Sequence, residues 1–561
     1  MDSEVSFLGG EGLRSSERRL SVRTNHSSPP KILLVDGMLR SNTPSLPAVA
    51  SGPLHSLLSV KSHPSGAQIW LNACGAIPQF LPGRLVGFGP EPLRVNPARQ
   101  PSPGLRRSVR PSDRRHSRPC GLGAFGSGLL WLIILGTLPF RAPASDFPYD
   151  LPPINYSDEQ LDDPISRLQA AWNQSPPQLE WESGRGYLNG VLQALRVSAQ
   201  SQTLVFSKTS LQRDYISPAS PRAIYFNDDV YVGFVPGAPV LEFSAVDSQK
   251  GAIFYTLDQQ PGDPPRFRRQ THECLQCHDS SLAQGVPGHI LRSVYTDPRG
   301  QPILSAGTFV TTPASPLRER FGGWYVTGTH GQQWHMGNLI VRSPEFHQRP
   351  DKLDLSSTGN QTSLDAFCST ALFPTSHSDI VALQVLAHQV YVHNLITKAN
   401  HQSRLALRDQ VAINQALGRA PTEPLDSTRS RLRSVGEPLL RALLLADEPA
   451  WSAPLQGTSQ FAAEFARTGP RDQQGRSLRG LDLQTRLLKH RCSWLIYSPA
   501  FLALPDVQLD YLAGRMWEVL NGTDSSGKFA QLSAADRQAV LEIVRETHPP
   551  LRERWAKLGK N

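Results

Sequence analysis

Residues 271–280 read THECLQCHDS, with two cysteines two residues apart and a histidine next in line. That pattern suits half of a zinc knuckle, a dithiol redox centre, or thioether attachment of a haem, and only the last needs the histidine at that position. Structural zinc takes four N or S ligands, usually from two paired knuckles, and the chain holds no second CxxC. A redox dithiol sits at a helix N-terminus whose dipole lowers the thiol pKa. Here the pair runs through DSSLAQGVPG into Gly and Pro, so no long helix starts there. With 6 Cys and 16 His among 561 residues, chance yields a CxxCH on the order of 0.002 times per chain.

The haem reading uses every residue of the pattern. The sulfurs of Cys274 and Cys277 join the two vinyl groups, and His278 reaches the iron as its proximal ligand. What occupies the far side of the iron then decides function: Met raises the potential, His lowers it, and an open position admits substrate chemistry. Met336, in WHMGN and 58 residues beyond His278, is the expected sixth ligand, set against the plainer role of a gap-filling core methionine. His330 and His335 flank it as alternatives, and His289 lies nearer the motif, while Met516 in AGRMWEVL reads as a helix-core residue.

Other chemistry-bearing residues are less pointed. His388 and His393 in LAHQVYVHNL stand five helical steps apart, about 140° around the axis, so they read as separately hydrogen-bonded histidines and not as one metal site. Cys368 and Cys492 are open to two readings, a disulfide in an exported protein or two buried thiols. Trp324, Tyr325 and Trp334 near Met336 suit a haem-pocket wall or an ordinary core equally. GGWYVTGTHG is glycine-rich without the spacing of a nucleotide-binding loop, and no catalytic carboxylate pair or nucleophile elbow is evident.

The net charge of +9 would ordinarily suggest a nucleic-acid partner, but residues 1–144 hold 17 of the 57 basic and only 7 of the 48 acidic residues. The rest of the chain is therefore close to neutral, which excludes a basic nucleic-acid-binding body. Residues 1–108 are rich in Pro, Ser, Gly and Arg and bury too little apolar surface to offset chain entropy. They read as disordered, or as a mis-assigned extension ahead of a start near Val109. Residues 109–144 then give a basic stretch, an apolar run over 128–140 and Ala142-Pro143-Ala144, the order of a secretory signal peptide. The run is short of the roughly 20 residues a spanning helix needs, so a membrane anchor through 128–140 is the second choice; either way the body is exported, to the periplasm or beyond.

The body divides into 145–270, 271–345 and 370–561. The first opens with helical DDPISRLQAAW and GYLNGVLQALRV, and continues as strand-like SQTLVFSK, RAIYFNDDVYVGFV, PVLEFSAVD and GAIFYTLDQ, which predict a small sheet. The second contains the haem motif and a hairpin turned at DPRG. The third is helical, with Ser378 as N-cap of a long helix and a capping box at Ser533 and Asp536. The class is α+β, with the c-type haem site embedded in a mixed N-terminal half and a helical C-terminal half.

CLQCH resembles the attachment site of the c-type cytochromes, a short match that speaks for haem c and says nothing of fold. More broadly, SQTLVFSK, PRAIYFNDDVYVG, RQTHECLQCHDSS, RSVYTDP, GGWYVTGTHG and HMGN resemble a group of secreted bacterial proteins described only as containing a cytochrome c domain, a similarity spanning most of 150–561. That resemblance implies one covalent haem and electron transfer, and no particular substrate. The interval from His278 to Met336 is comparable to that in class I cytochromes, but those are small helical domains, unlike this large α+β body. The sequence thus points to an exported monohaem protein passing electrons between an unidentified donor and acceptor. A haem-dependent oxidoreductase or peroxidase-like enzyme with an open far position, and a structural or sensor haem module, are the competing classes.

Overall fold

The structure, a computed structural model, describes residues 148–559 except Asp263; the N-terminal extension and the signal segment lie outside the described residues. All described residues belong to one compact unit, Phe125–Asn561.

Helices α1 (Pro164–Gln174) and α2 (Leu188–Ala194) precede the sheet. Helix α1 starts where the sequence demands it: Asp163 accepts from the Ile165 and Ser166 amides, Ser166 returns a bond to the Asp163 amide, and Pro164 occupies the first helical position. Strands β1 (Thr203–Val205), β2 (Arg222–Phe226), β3 (Val230–Phe234), β4 (Val240–Asp247), β5 (Gly251–Asp258) and β6 (Phe267–Gln270) follow as an antiparallel meander. After the short helix α3 (Leu275–His278) and the hairpin pair β7 (Arg292–Val294) and β8 (Thr308–Val310), strand β9 (Trp324–Tyr325) returns to pair with β1. The result is seven strands in the order β6-β5-β4-β3-β2-β1-β9, a larger sheet than the strand runs alone suggest, because β9 comes from beyond CLQCH. DPRG turns as expected, with Thr296 bridging to Pro302.

The C-terminal half is helical: α4 (Ile380–Ala416), α5 (Asp426–Leu443), α6 (Phe461–Arg467), α7 (Pro499–Leu502), α8 (Asp506–Leu520), α9 (Ala534–Thr547) and α10 (Pro549–Leu558). Helix α4 is long and apolar enough to cross a membrane by length and composition, yet it is buried in the fold as the central core helix. Its N-cap is Asp379 and not Ser378. The Ser378 hydroxyl instead accepts from the Leu204 amide at 2.9 Å and donates to the Tyr325 carbonyl, which ties the α4 start to β1 and β9. The capping box of α9 at Ser533 and Asp536 forms as read.

Side chains alternate across strands, and here both sides of the sheet are covered, which is why β3 is buried along its whole length. One side, with Tyr225, Val232, Ala245 and Leu257, packs with α1 and α2 into one core. The other faces α4 and the chain that leads from β6 to β9. These two strands are opposite edges of the sheet, six inter-strand spacings or about 29 Å apart. The connection from 271 to 323 must therefore cross the sheet, and it carries CLQCH over that face.

Candidate functional site

A cavity of about 650 Å³ opens between this sheet face, the crossing segment and α4. Its floor comes from alternate positions of four neighbouring strands: Arg222 and Ile224, Tyr231 and Gly233, Glu242 and Ser244, Phe254 and Thr256. Leu386 and Val390 of α4 and Trp324 at the far edge close it, and Cys274, Cys277 and His278 line it together. The three residues of the motif thus share one cavity of a size suited to a cofactor.

The state of the two cysteines does not suit a reactive dithiol. Both cysteines are free thiols, Cys277 exposed and Cys274 half-buried. Burial first, then Glu242 and Glu273, push the Cys274 thiol up to about 12, opposite to what a reactive dithiol needs. Helix α3 has only four residues, so it supplies little dipole to correct this. Among the described residues no group of three or more His, Cys, Asp or Glu side chains is placed to hold a metal ion by itself.

His278 is held in one tautomer. Its Nδ1 stands 2.8 Å from the Gly288 carbonyl oxygen, which only accepts, so Nδ1 carries the hydrogen and Nε2 keeps a lone pair. Burial lowers the His278 pKa and favours the neutral ring. A backbone carbonyl behind the ring is the usual way a metal-binding histidine is oriented.

The partner loop is itself anchored from α4. The Asn394 side chain accepts from the His289 amide at 2.9 Å and donates to the His289 carbonyl at 2.7 Å. Gly288 permits that closure, because a Cβ there would stand 2.4 Å from Asn394 Oδ1. The Asn394→Ala variant leaves both buried backbone groups unpaired. It is expected to cost about 2 kcal/mol and to speed amide exchange at His289, read by denaturant unfolding and hydrogen exchange.

Met336 is not brought to the cavity. It is buried with Tyr295, Ile303, Leu339 and Val341, and its sulfur lies 3.5 Å from the Ser293 hydroxyl. The chain folds WHMGN back beneath the β7–β8 hairpin, and there Met336, the expected sixth ligand, fills a core gap. His330 and His335 pack on each other at 4.6 Å between ring centres and also lie outside the cavity lining. Trp324 lines the cavity, Tyr325 belongs to the opposite core, and Trp334 is 55 % exposed. Met516 is a core residue of α8. His388 and His393 diverge as their spacing predicts, His388 to the Ser493 hydroxyl and His393 to the Tyr231 hydroxyl. Cys368 and Cys492 sit free in two different cores.

The cavity walls were not marked by any motif. Arg222 pairs with Glu242 at 2.8 Å, and Glu242 also accepts from the Ser210 hydroxyl at 3.0 Å. The Nε atoms of Arg222 and Arg292 are buried without a partner, spare donors in a cavity wall that also includes Lys208. His289 holds the Ser244 hydroxyl through Nε2 at 2.7 Å and has no partner at Nδ1. The period-2 pattern could have paired these strand residues on one face; which face receives the motif depends on where β9 returns.

No protein-family model, curated protein or solved structure matches this chain.

Proposed function

We propose that this chain binds one haem c covalently, through Cys274 and Cys277 with His278 as axial ligand, and serves as an exported redox protein. The observation that carries this reading is the 2.8 Å contact between His278 Nδ1 and the Gly288 carbonyl, which leaves Nε2 as the ligating nitrogen of a cavity-lining ring. The spare Arg222 and Arg292 donors suit the two carboxylates of such a group. When bound, the haem would supply one-electron chemistry; Phe254, Trp324 and Leu386 would shield it, and no methionine lines the cavity.

The position of Met336 favours the second reading, an oxidoreductase whose iron keeps a position free for a small ligand, over a simple electron shuttle. The two differ in one spectrum. Carbon monoxide added to the reduced holoprotein is expected to bind at once and shift the Soret band. A low-spin iron indifferent to it would return the protein to the shuttle class.

A further inference from the structure

Tyr231 stands on the cavity face of β3, and its hydroxyl is engaged on the α4 side by a hydrogen-bond chain whose directions are fixed. The Gln389 side-chain nitrogen donates to the Asn227 carbonyl at 2.7 Å and to the Tyr231 oxygen at 2.9 Å. A backbone carbonyl only accepts, so it decides which end of the amide faces it, and the second hydrogen of the same NH₂ falls to the phenol oxygen. The phenol proton then has Nδ1 of His393 as its acceptor, at 3.0 Å. His393 must carry its own hydrogen on Nε2, a buried atom with no partner. All three side chains are buried, and burial lowers His393 to about 4, so its ring is neutral and its Nδ1 lone pair is free to take a proton.

The cavity side of Tyr231 is equally well placed. Its ring packs 4.3 Å from His289, and Phe254 stands 6.4 Å from His289 and 4.7 Å from His278, measured between ring centres. Phenols become strongly acidic when they lose an electron, so a buried tyrosine gives one up readily only beside a base that takes the proton in the same step. Tyr231 has such a base on one side and a large cavity on the other.

We infer that Tyr231 and His393 form a redox-active pair that delivers single electrons into the cavity to a one-electron oxidant of the metal-complex class. In that step the Tyr231 O–H bond breaks and an N–H bond forms at His393 Nδ1. The tyrosine is oxidised by one electron to a neutral radical, the metal complex is reduced by one, and His393 holds the proton until an electron returns. Asp228 stands close enough to His393 to favour that charged form. The step requires no particular mode of haem attachment.

The test is flash photolysis of the full chain with a tris-bipyridyl ruthenium complex and a sacrificial quencher, read by electron paramagnetic resonance. It is run on the exported protein and on the Cys274→Ala, Cys277→Ala chain. Both are expected to give a long-lived tyrosyl radical that is lost in Tyr231→Phe, a variant that keeps the ring. In His393→Gln, which retains bulk and hydrogen bonding but accepts no proton, the radical is expected to form more slowly and to lose its solvent deuterium isotope effect. An unchanged radical in Tyr231→Phe, or unchanged kinetics in His393→Gln, would overturn the inference. A haem-free exported protein that still shows the Tyr231 radical would count against the proposed function and leave this pair standing.

Discussion

With the proposed haem bound, His278→Ala is expected to remove the iron's protein nitrogen ligand while Cys274 and Cys277 would still hold the macrocycle. The effect is a change of spin and coordination state in the visible and magnetic resonance spectra, with imidazole added to the solution restoring much of the original signal. The reason lies in the second ring nitrogen: the Gly288 carbonyl commits Nδ1 to donation, so Nε2 is the nitrogen that would hold the iron. Met336→Ala provides the contrast. Met336 is 1 % exposed and packed among Tyr295, Ile303 and Leu339, away from the cavity. Its removal is expected to cost about 2–5 kcal/mol of stability and to leave the iron spectrum as it was. If Met336→Ala instead converts a low-spin spectrum to a high-spin one, the sulfur reaches the iron after all and the open-position reading falls.

A large stability effect is also expected at Asp379. Its carboxylate is fully buried at the start of α4 and accepts on both oxygens: Oδ1 from the Val381 amide at 2.7 Å and the Ala382 amide at 3.3 Å, Oδ2 from the Thr458 amide at 2.9 Å, the Ser459 amide at 2.8 Å and the Ser459 hydroxyl at 2.7 Å. It caps the helix that forms one cavity wall and fastens that helix to the loop before α6. Asp379→Ala removes the cap and strands several buried donors at once, a loss of about 4 kcal/mol. Asp379→Asn keeps the shape and one accepting oxygen but turns an NH₂ toward amide donors, and is expected to recover about half of that. Unfolding midpoints of the two variants, followed by circular dichroism, check both the size and the order.

Local signals carried much of this architecture. The Ser533 capping box, the β-branched and aromatic strand runs and the DPRG turn each specify a few neighbouring residues, and each is found where the chain predicts it. Where two residues were chemically equivalent, local reasoning chose wrongly: Ser378 and Asp379 are both good N-caps. The choice was made at a distance, by the unpaired Leu204 amide and Tyr325 carbonyl that occupy the Ser378 hydroxyl. The same holds at the site. The three residues of CLQCH are neighbours in sequence and share one cavity lining, whereas Met336 is 58 residues away and packs under a hairpin. Tyr231, Glu242 and Arg222 lie 30 to 60 residues before the motif and meet it only because β9 pairs with β1 and forces the connection across their face.

The measurement that bears most directly on the proposed function is a pyridine haemochrome spectrum together with a haem-stained denaturing gel, on the chain exported alongside a cytochrome c maturation system. One covalent haem per chain, lost when Cys274 and Cys277 are both alanine, is the predicted result. A colourless chain from a host that matures other c-type proteins would contradict it, and would give the cavity of Cys274, Cys277 and His278 to a different ligand.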